Sequence, residues 1–245
     1  MSSDEQKKLL EHKPTQAKKQ MSTAFDLNSP EWFLNRELTW LEFNRRVLHE
    51  GQDSRNPLLE RVFFLSVVGS NLDEFFMKRI GGLKQLIGAG VKKLSVDGRT
   101  PLEQIYDCHI VVQDILKQNQ LLEKELKTLL AQEGIVLTGY DQLTKEQKTF
   151  ANKFFFDNVY PLLTPQGTDP AHPFPFISNL SLNLLVKVSY PNTEHAYLNR
   201  IKVPVDSGVS SRFIKIGEED VYVPIEDIIA NNLDLLFPGM VIESC

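Results

Sequence analysis

The sequence predicts an α+β chain: a helical bundle over about residues 31–133, then an α/β head module over 134–245. Helix start signals recur between Thr39 and Thr100, each followed by apolar residues three and four apart. From Gly134 onward, short alternating apolar runs and a proline-rich loop take their place. Residues 1–30 are polar, with lysines set against acids and no sustained apolar stripe, so a flexible tail is expected there.

The elements follow in order. Thr39-Trp40-Leu41-Glu42 has the form of a capping box, with Trp40, Phe43, Val47 and Leu48 at helical spacing until Gly51. Asn56-Pro57 opens a second helix, proline being favoured at a first helical position. Gly69-Ser70 interrupts it, and Asn71-Leu72-Asp73-Glu74 restarts a third helix that Gly88-Ala89-Gly90 ends. Thr100-Pro101-Leu102-Glu103 opens a long fourth helix whose apolar positions, Ile105 to Leu129, run toward Gly134. In the head, Ile135-Val136-Leu137 reads as a strand and Thr144-Lys145-Glu146-Gln147 caps a helix through Val159 to Pro161. Strands are expected over 180–190, 196–205 and 212–216, one helix over 224–236, and a strand beginning at Met240. The abrupt end at Cys245 suggests a piece of something longer.

Composition narrows the function classes. Net charge is −5 with 42% hydrophobic and 24% charged residues, which is ordinary globular composition without the basic excess of a nucleic-acid binder. Cys108 and Cys245 are too few for a disulfide framework and suit a reducing compartment. No apolar run reaches the roughly 20 residues of a membrane span, and no signal peptide opens the chain, so a cytoplasmic location is expected, with peripheral membrane association left open.

Familiar catalytic patterns are missing. There is no Walker A loop, no serine-hydrolase elbow, and no dinucleotide fingerprint at Gly88-Ala89-Gly90. The five histidines, His12, His49, His109, His172 and His195, show no zinc spacing, so no catalytic residue and no metal ligand is assigned.

Several clusters remain: N-R-E-L-T-W-L-E-F-N-R-R-V-L at 35–48, N-P-L-L-E-R at 56–61, S-N-L-D-E-F-F-M-K-R at 70–79, and D-P-A-H-P-F-P-F-I-S-N-L at 169–180. In this order and separation they resemble the N-terminal half of bacterial polyphosphate kinase. The resemblance covers the chain from about residue 31 to its end. It implies a helical N-terminal domain, part of a head domain, and two phospholipase D-like catalytic domains that lie outside these residues. It also implies that the terminal phosphate of ATP, with Mg²⁺, passes to polyphosphate through a histidine in those outer domains. This part would contribute to ATP binding and to a homodimer or higher homo-oligomer, and would be inactive by itself. His172 matches the head-domain loop rather than the phosphohistidine. The alternative is a stand-alone, non-catalytic interaction module built on the same scaffold, with a closed apolar surface.

By the resemblance, Asn71 matches a position that contacts ATP. An asparagine at a helix start offers a donor and an acceptor beside free backbone N–H groups. The other reading is a plain N-cap, contributing about 1 kcal/mol. Arg45, Arg46, Lys78 and Arg79 could steer phosphate, or be solvated cations paired with Glu42, Asp73 and Glu74. Trp40, Phe43, Phe63, Phe64, Phe75 and Phe76 are expected in the core. The acidic stretch 206–245 should repel polyphosphate and is assigned to architecture or subunit contact.

Overall fold

Asn35, not Thr39, starts the first long helix. Its Oδ1 accepts from the backbone N–H of Glu37 at 3.0 Å and of Leu38 at 3.1 Å, which is N-cap geometry. The Thr39 hydroxyl donates back to the Asn35 carbonyl at 2.8 Å, one turn inside the helix, so the expected box at 39–42 is a false start. The computed structural model describes residues 26–168, 174–193, 195–205 and 211–245. Most of the expected tail and all of 169–173 fall outside the described residues.

The helices are α1 (Arg36–Gln52), α2 (Leu58–Phe75), α3 (Gly81–Gly88) and α4 (Pro101–Gln132). A π-helical turn, Phe76–Ile80, joins α2 to α3. The stop expected at Gly51 falls one residue before the end of α1 at Gln52, and a Cβ at Gly51 would sit 2.9 Å from Leu122 Cδ2 and 3.4 Å from the Arg61 carbonyl, so it is a packing glycine as well. One expected helix break is corrected. Gly69 and Ser70 lie inside α2, which runs on without a break to Phe75. Glycine weakens a helix but does not end one when packing on both sides holds the ladder. The Thr100 box holds, with reciprocal bonds between Thr100 and Glu103, and Gly134 beyond α4 takes φ +85°.

The chain groups into two compact units: Met1–Arg45 with Ser70–Asp114, and Arg46–Gly69 with Ile115–Cys245. The change from helical to mixed secondary structure falls separately, at Gly134. The first unit buries Leu41, Leu72, Phe75, Ile80, Leu83, Cys108 and Val112. Asn35 Nδ2 donates to Asp97 and Gln104, both at 3.1 Å, tying the 95–100 turn to the helix starts.

The second unit holds two sheets. Strands β1 (Val136–Leu137), β5 (Phe213–Lys215) and β6 (Val221–Pro224) form a sheet of order β1-β6-β5, with β1 parallel to β6. Strands β2 (Gln166–Thr168), β3 (Asn183–Ser189), β4 (Ala196–Lys202) and β7 (Val241–Ser244) form an antiparallel sheet of order β2-β4-β3-β7. Helix α5 (Lys145–Phe154), capped by the Thr144–Gln147 box, runs into a π-helical turn at Phe155–Val159. One core joins Val186, Val188, Ile201, Ile214, Val223, Phe155 and Ile228.

Sequence and structure differ at three further places in the head. The single helix expected over 224–236 is two short helices, α6 (Ile225–Ala230) and α7 (Leu233–Leu236), and strand β6 just before them was not expected. Asn232 divides them because its Nδ2 donates to the Ile228 carbonyl at 2.9 Å, competing with the helical ladder. Strand β2 was not expected: Gln-Gly-Thr has no alternating pattern and exists only through its ladder with β4. The aromatic expectation is also corrected, since Phe43, Phe63 and Phe76 are exposed, Trp40 and Phe64 half-buried, and only Phe75 is in the core.

Two glycines test the helix assignments by chemical denaturation. Gly69→Ala meets no atom within 4 Å and should raise stability by roughly 0.5–1 kcal/mol; a loss would contradict a continuous α2. Gly51→Val must displace buried Leu122 and should cost about 2 kcal/mol. A thiol titration probes the first unit. Burial, assisted by Glu37 and Asp107, pushes the Cys108 thiol up to about 12, whereas Cys245 is exposed. At pH 8 one thiol per native chain should react with an aromatic disulfide reagent, and two after unfolding. Because the folded pKa is the higher one, this stabilising contribution is complete below the unfolded value of about 8.5 and lost as pH rises toward 12.

Candidate functional site

Because α2 is unbroken, Asn71 is an interior helical residue, not a cap, and the backbone N–H groups around it are committed to the helix. This overturns the helix-start rationale for Asn71 and its plain N-cap alternative together. The structure gives the side chain another partner. Asn71 Nδ2 donates to Asn44 Oδ1 at 2.9 Å, between α2 and α1. Asn44 is 0% exposed, whereas Asn71 is half-buried. The Asn71 Oδ1 has no partner among the described residues. Asn44 was not singled out from the sequence, although it signals itself: it takes the polar place in the buried stripe Leu41–Asn44–Leu48.

Aromatic rings on the same stretches of chain pack against one another. Trp40 stacks on Phe75 with centroids 5.0 Å apart and planes at 19°. Phe43 meets Trp40 edge-on at 6.5 Å, and Phe76 meets Phe75 at 6.1 Å and 86°. Phe76 opens the π-helical turn that also carries Lys78 and Arg79. Such turns re-aim side chains relative to a regular helix and occur often at functional sites.

The four expected phosphate-steering cations differ in their commitments. Arg45 bonds Glu42 at 3.0 Å and Asp114 at 2.8 Å, while its Nε is buried without a hydrogen-bond partner. Lys78 bonds Glu74 at 2.6 Å, and with help from Arg79 it holds that carboxyl below its ordinary range. Arg79 is half-buried and makes no hydrogen bond among the described residues. Arg46 belongs to the second unit, is exposed, and is engaged with neighbours of its own. The basic stretch is thus interleaved with carboxylates. Asp114, the longest-range of these partners, could not be matched to Arg45 from sequence spacing.

What the first unit offers chemically, among the described residues, is a half-buried amide with an unpaired acceptor, the exposed side chains of Phe43 and Phe76, and guanidinium and ammonium groups on one turn of chain. Among the described residues no three His, Cys, Asp or Glu side chains converge on a point that could hold a metal. His172 lies outside the described residues.

Comparison with known proteins assigns this architecture. Residues 33–138 match the model of the polyphosphate kinase N-terminal domain, and residues 146–245 match the polyphosphate kinase middle domain. A polyphosphate kinase from Synechocystis sp. is 47% identical over 232 residues, covering 90% of this chain and 32% of that protein. One from Streptomyces coelicolor is 43% identical over 209 residues, covering 85% of this chain and 28% of that protein. The crystal structure of polyphosphate kinase from Porphyromonas gingivalis superposes with a TM-score of 0.73 at 26% identity, covering 86% of this chain and 32% of that one. The chain therefore spans about a third of the length of these relatives. With both domain models matched in order along one polypeptide, the chain belongs to the polyphosphate kinase family and carries its N-terminal and middle domains.

Proposed function

We propose that the chain supplies the N-terminal part of an enzyme that reversibly transfers the terminal phosphate of ATP to polyphosphate, lengthening the polymer by one unit and releasing ADP. In this reading the phosphohistidine that carries the group lies outside these residues, so the chain is inactive by itself. The observation that carries the reading is the family match at 33–138 and 146–245. The acceptor on Asn71, unpaired among the described residues, together with exposed Phe43 and Phe76 in the same unit, supports a nucleotide contact. An amide suits a purine edge and an aromatic face suits its plane. The functional division is a helical domain over 31–133 and a head domain over 134–245, with residues 1–30 as a leader.

Arg45, Lys78 and Arg79 act in this reading as a rim that attracts polyanions, weakened by the carboxylates paired to it, and Arg46 steers phosphate from the second unit by its own charge. Magnesium enters only as the companion of the ATP triphosphate, and no residue here is assigned to it. The chain works in the cytoplasm as part of a homodimer or larger homo-oligomer, to which the acidic head contributes contacts. No helix among the described residues is long and apolar enough to cross a membrane. The exposed apolar side chains Phe174, Phe176, Ile177 and Leu180, all on one loop, favour this reading over a closed, stand-alone interaction module.

A chimera tests it: the Synechocystis polyphosphate kinase with its matched segment replaced by residues 33–245 of this chain. The chimera should make polyphosphate from ATP, and the 245-residue chain alone should make none. Synthesis by the chain alone would overturn the division of labour. Within the chimera, Asn71→Asp places a negative charge near the nucleotide and replaces the donor that faces buried Asn44 Oδ1 with an acceptor. It should raise the KM for ATP about tenfold, roughly 1.4 kcal/mol, and lower the melting temperature by a few degrees. An unaltered KM would remove Asn71 from the ATP site.

A further inference from the structure

Arg200 on β4 is 7% exposed, yet none of its partners among the described residues is a carboxylate. Its Nε donates to Asn183 Oδ1 on β3 at 2.7 Å. Its Nη1 donates to Gln166 Oε1 on β2 at 3.1 Å and to the Phe176 backbone carbonyl at 3.0 Å. A guanidinium serves this arrangement because its planar fork bonds several acceptors in fixed directions at once. What those bonds fix is the course of loop 174–180 across the sheet.

The clamped loop then turns its large apolar side chains outward. Phe176 is 89% exposed although its carbonyl is held. Phe174, Ile177 and Leu180 are exposed beside it, Leu180 with a left-handed φ of +57°. Leu185, directly opposite Arg200 in the β3–β4 ladder, is exposed as well. Aromatic anchors on a held backbone lose little freedom on docking, which is the profile of a binding hot spot.

We infer that loop 174–180, held by Arg200, is a preorganised docking ridge for an apolar surface on the part of the family polypeptide that this chain does not include. Residues 174–186 contain no charged side chain, so the ridge offers no cation to the phosphates of a nucleotide, a polyphosphate chain or an anionic lipid. It is matched instead to an apolar protein surface, and the relatives carry about two-thirds of their length beyond the matched segment. This inference rests on the proposed reading only in taking that longer polypeptide as the partner.

The 245-residue chain and the Synechocystis chimera decide it together. Amides of 174–180 should exchange with deuterium at least about tenfold more slowly in the chimera. Phe176→Ser should leave the melting temperature of the 245-residue chain unchanged, because the ring meets solvent, and lower that of the chimera by about 3 °C or more. Arg200→Gln should speed exchange of the loop in the chain alone. If Phe176→Ser is silent in both proteins, or if the loop is protected only when the 245-residue chain self-associates at high concentration, the inference falls. These readouts need no turnover: an inactive chimera with a protected loop would sink the phosphotransfer reading and leave this one standing.

Discussion

A polar side chain buried among apolar ones must find a hydrogen-bond partner, because an unmade bond there costs about 1–3 kcal/mol. That constraint governs each junction of this structure. Asn35 bridges the start of α1 to Asp97 and Gln104; Asn44 meets Asn71; buried Arg61 donates to the Gly51 carbonyl at 2.8 Å and reaches Glu125. In the head, Asn232 joins the end of α6 to Asn152, and Arg200 joins β2, β3 and a loop. Apolar burial supplies the larger part of the stability, but it is not directional. The buried amides and guanidinia are what choose one register among the packings that the same apolar stripes would allow.

The Asn44–Asn71 pair shows how such a contact acquires functional meaning. Two asparagines could satisfy each other with two bonds; here one bond joins them, and among the described residues the acceptor on the more exposed partner has no other partner. The neighbouring π-helical turn shifts the phase of the chain after Phe75, so Phe76, Met77 and Lys78 stand outward where a regular helix would have turned part of that set inward. Local irregularity and an incompletely satisfied polar group thus occur on the same stretch of chain, and local rules are commonly broken at functional sites.

Much of this was legible beforehand, for definite reasons. The Thr100 and Thr144 boxes and the length of α4 depend on neighbours within a few residues, strands β3, β4 and β7 announce themselves by apolar runs, and those elements formed close to where they were read. The errors have an equally definite cause. Asn35 and Thr39 both have capping chemistry, and which one caps is decided by Asp97 and Gln104, more than sixty residues away. Gly69 looks like a stop in isolation, but α2 runs on through it to Phe75. Of the candidate site, Asn71 and the cations were visible as residues. Asn44 and Asp114, which define their surroundings, were not.

The sequence by itself determined the class of the chain, the order of its elements and the family whose N-terminal and middle domains it carries, because those rest on periodicity, caps and motif order along the polypeptide. Tertiary structure alone decided that α2 is continuous, that Asn71 points at Asn44, and that Arg200 clamps loop 174–180. The physical reason is range. Caps and periodicity are set by contacts within about one turn, whereas a buried polar group is satisfied by whatever the fold brings to it, and that partner carries no mark in the local sequence.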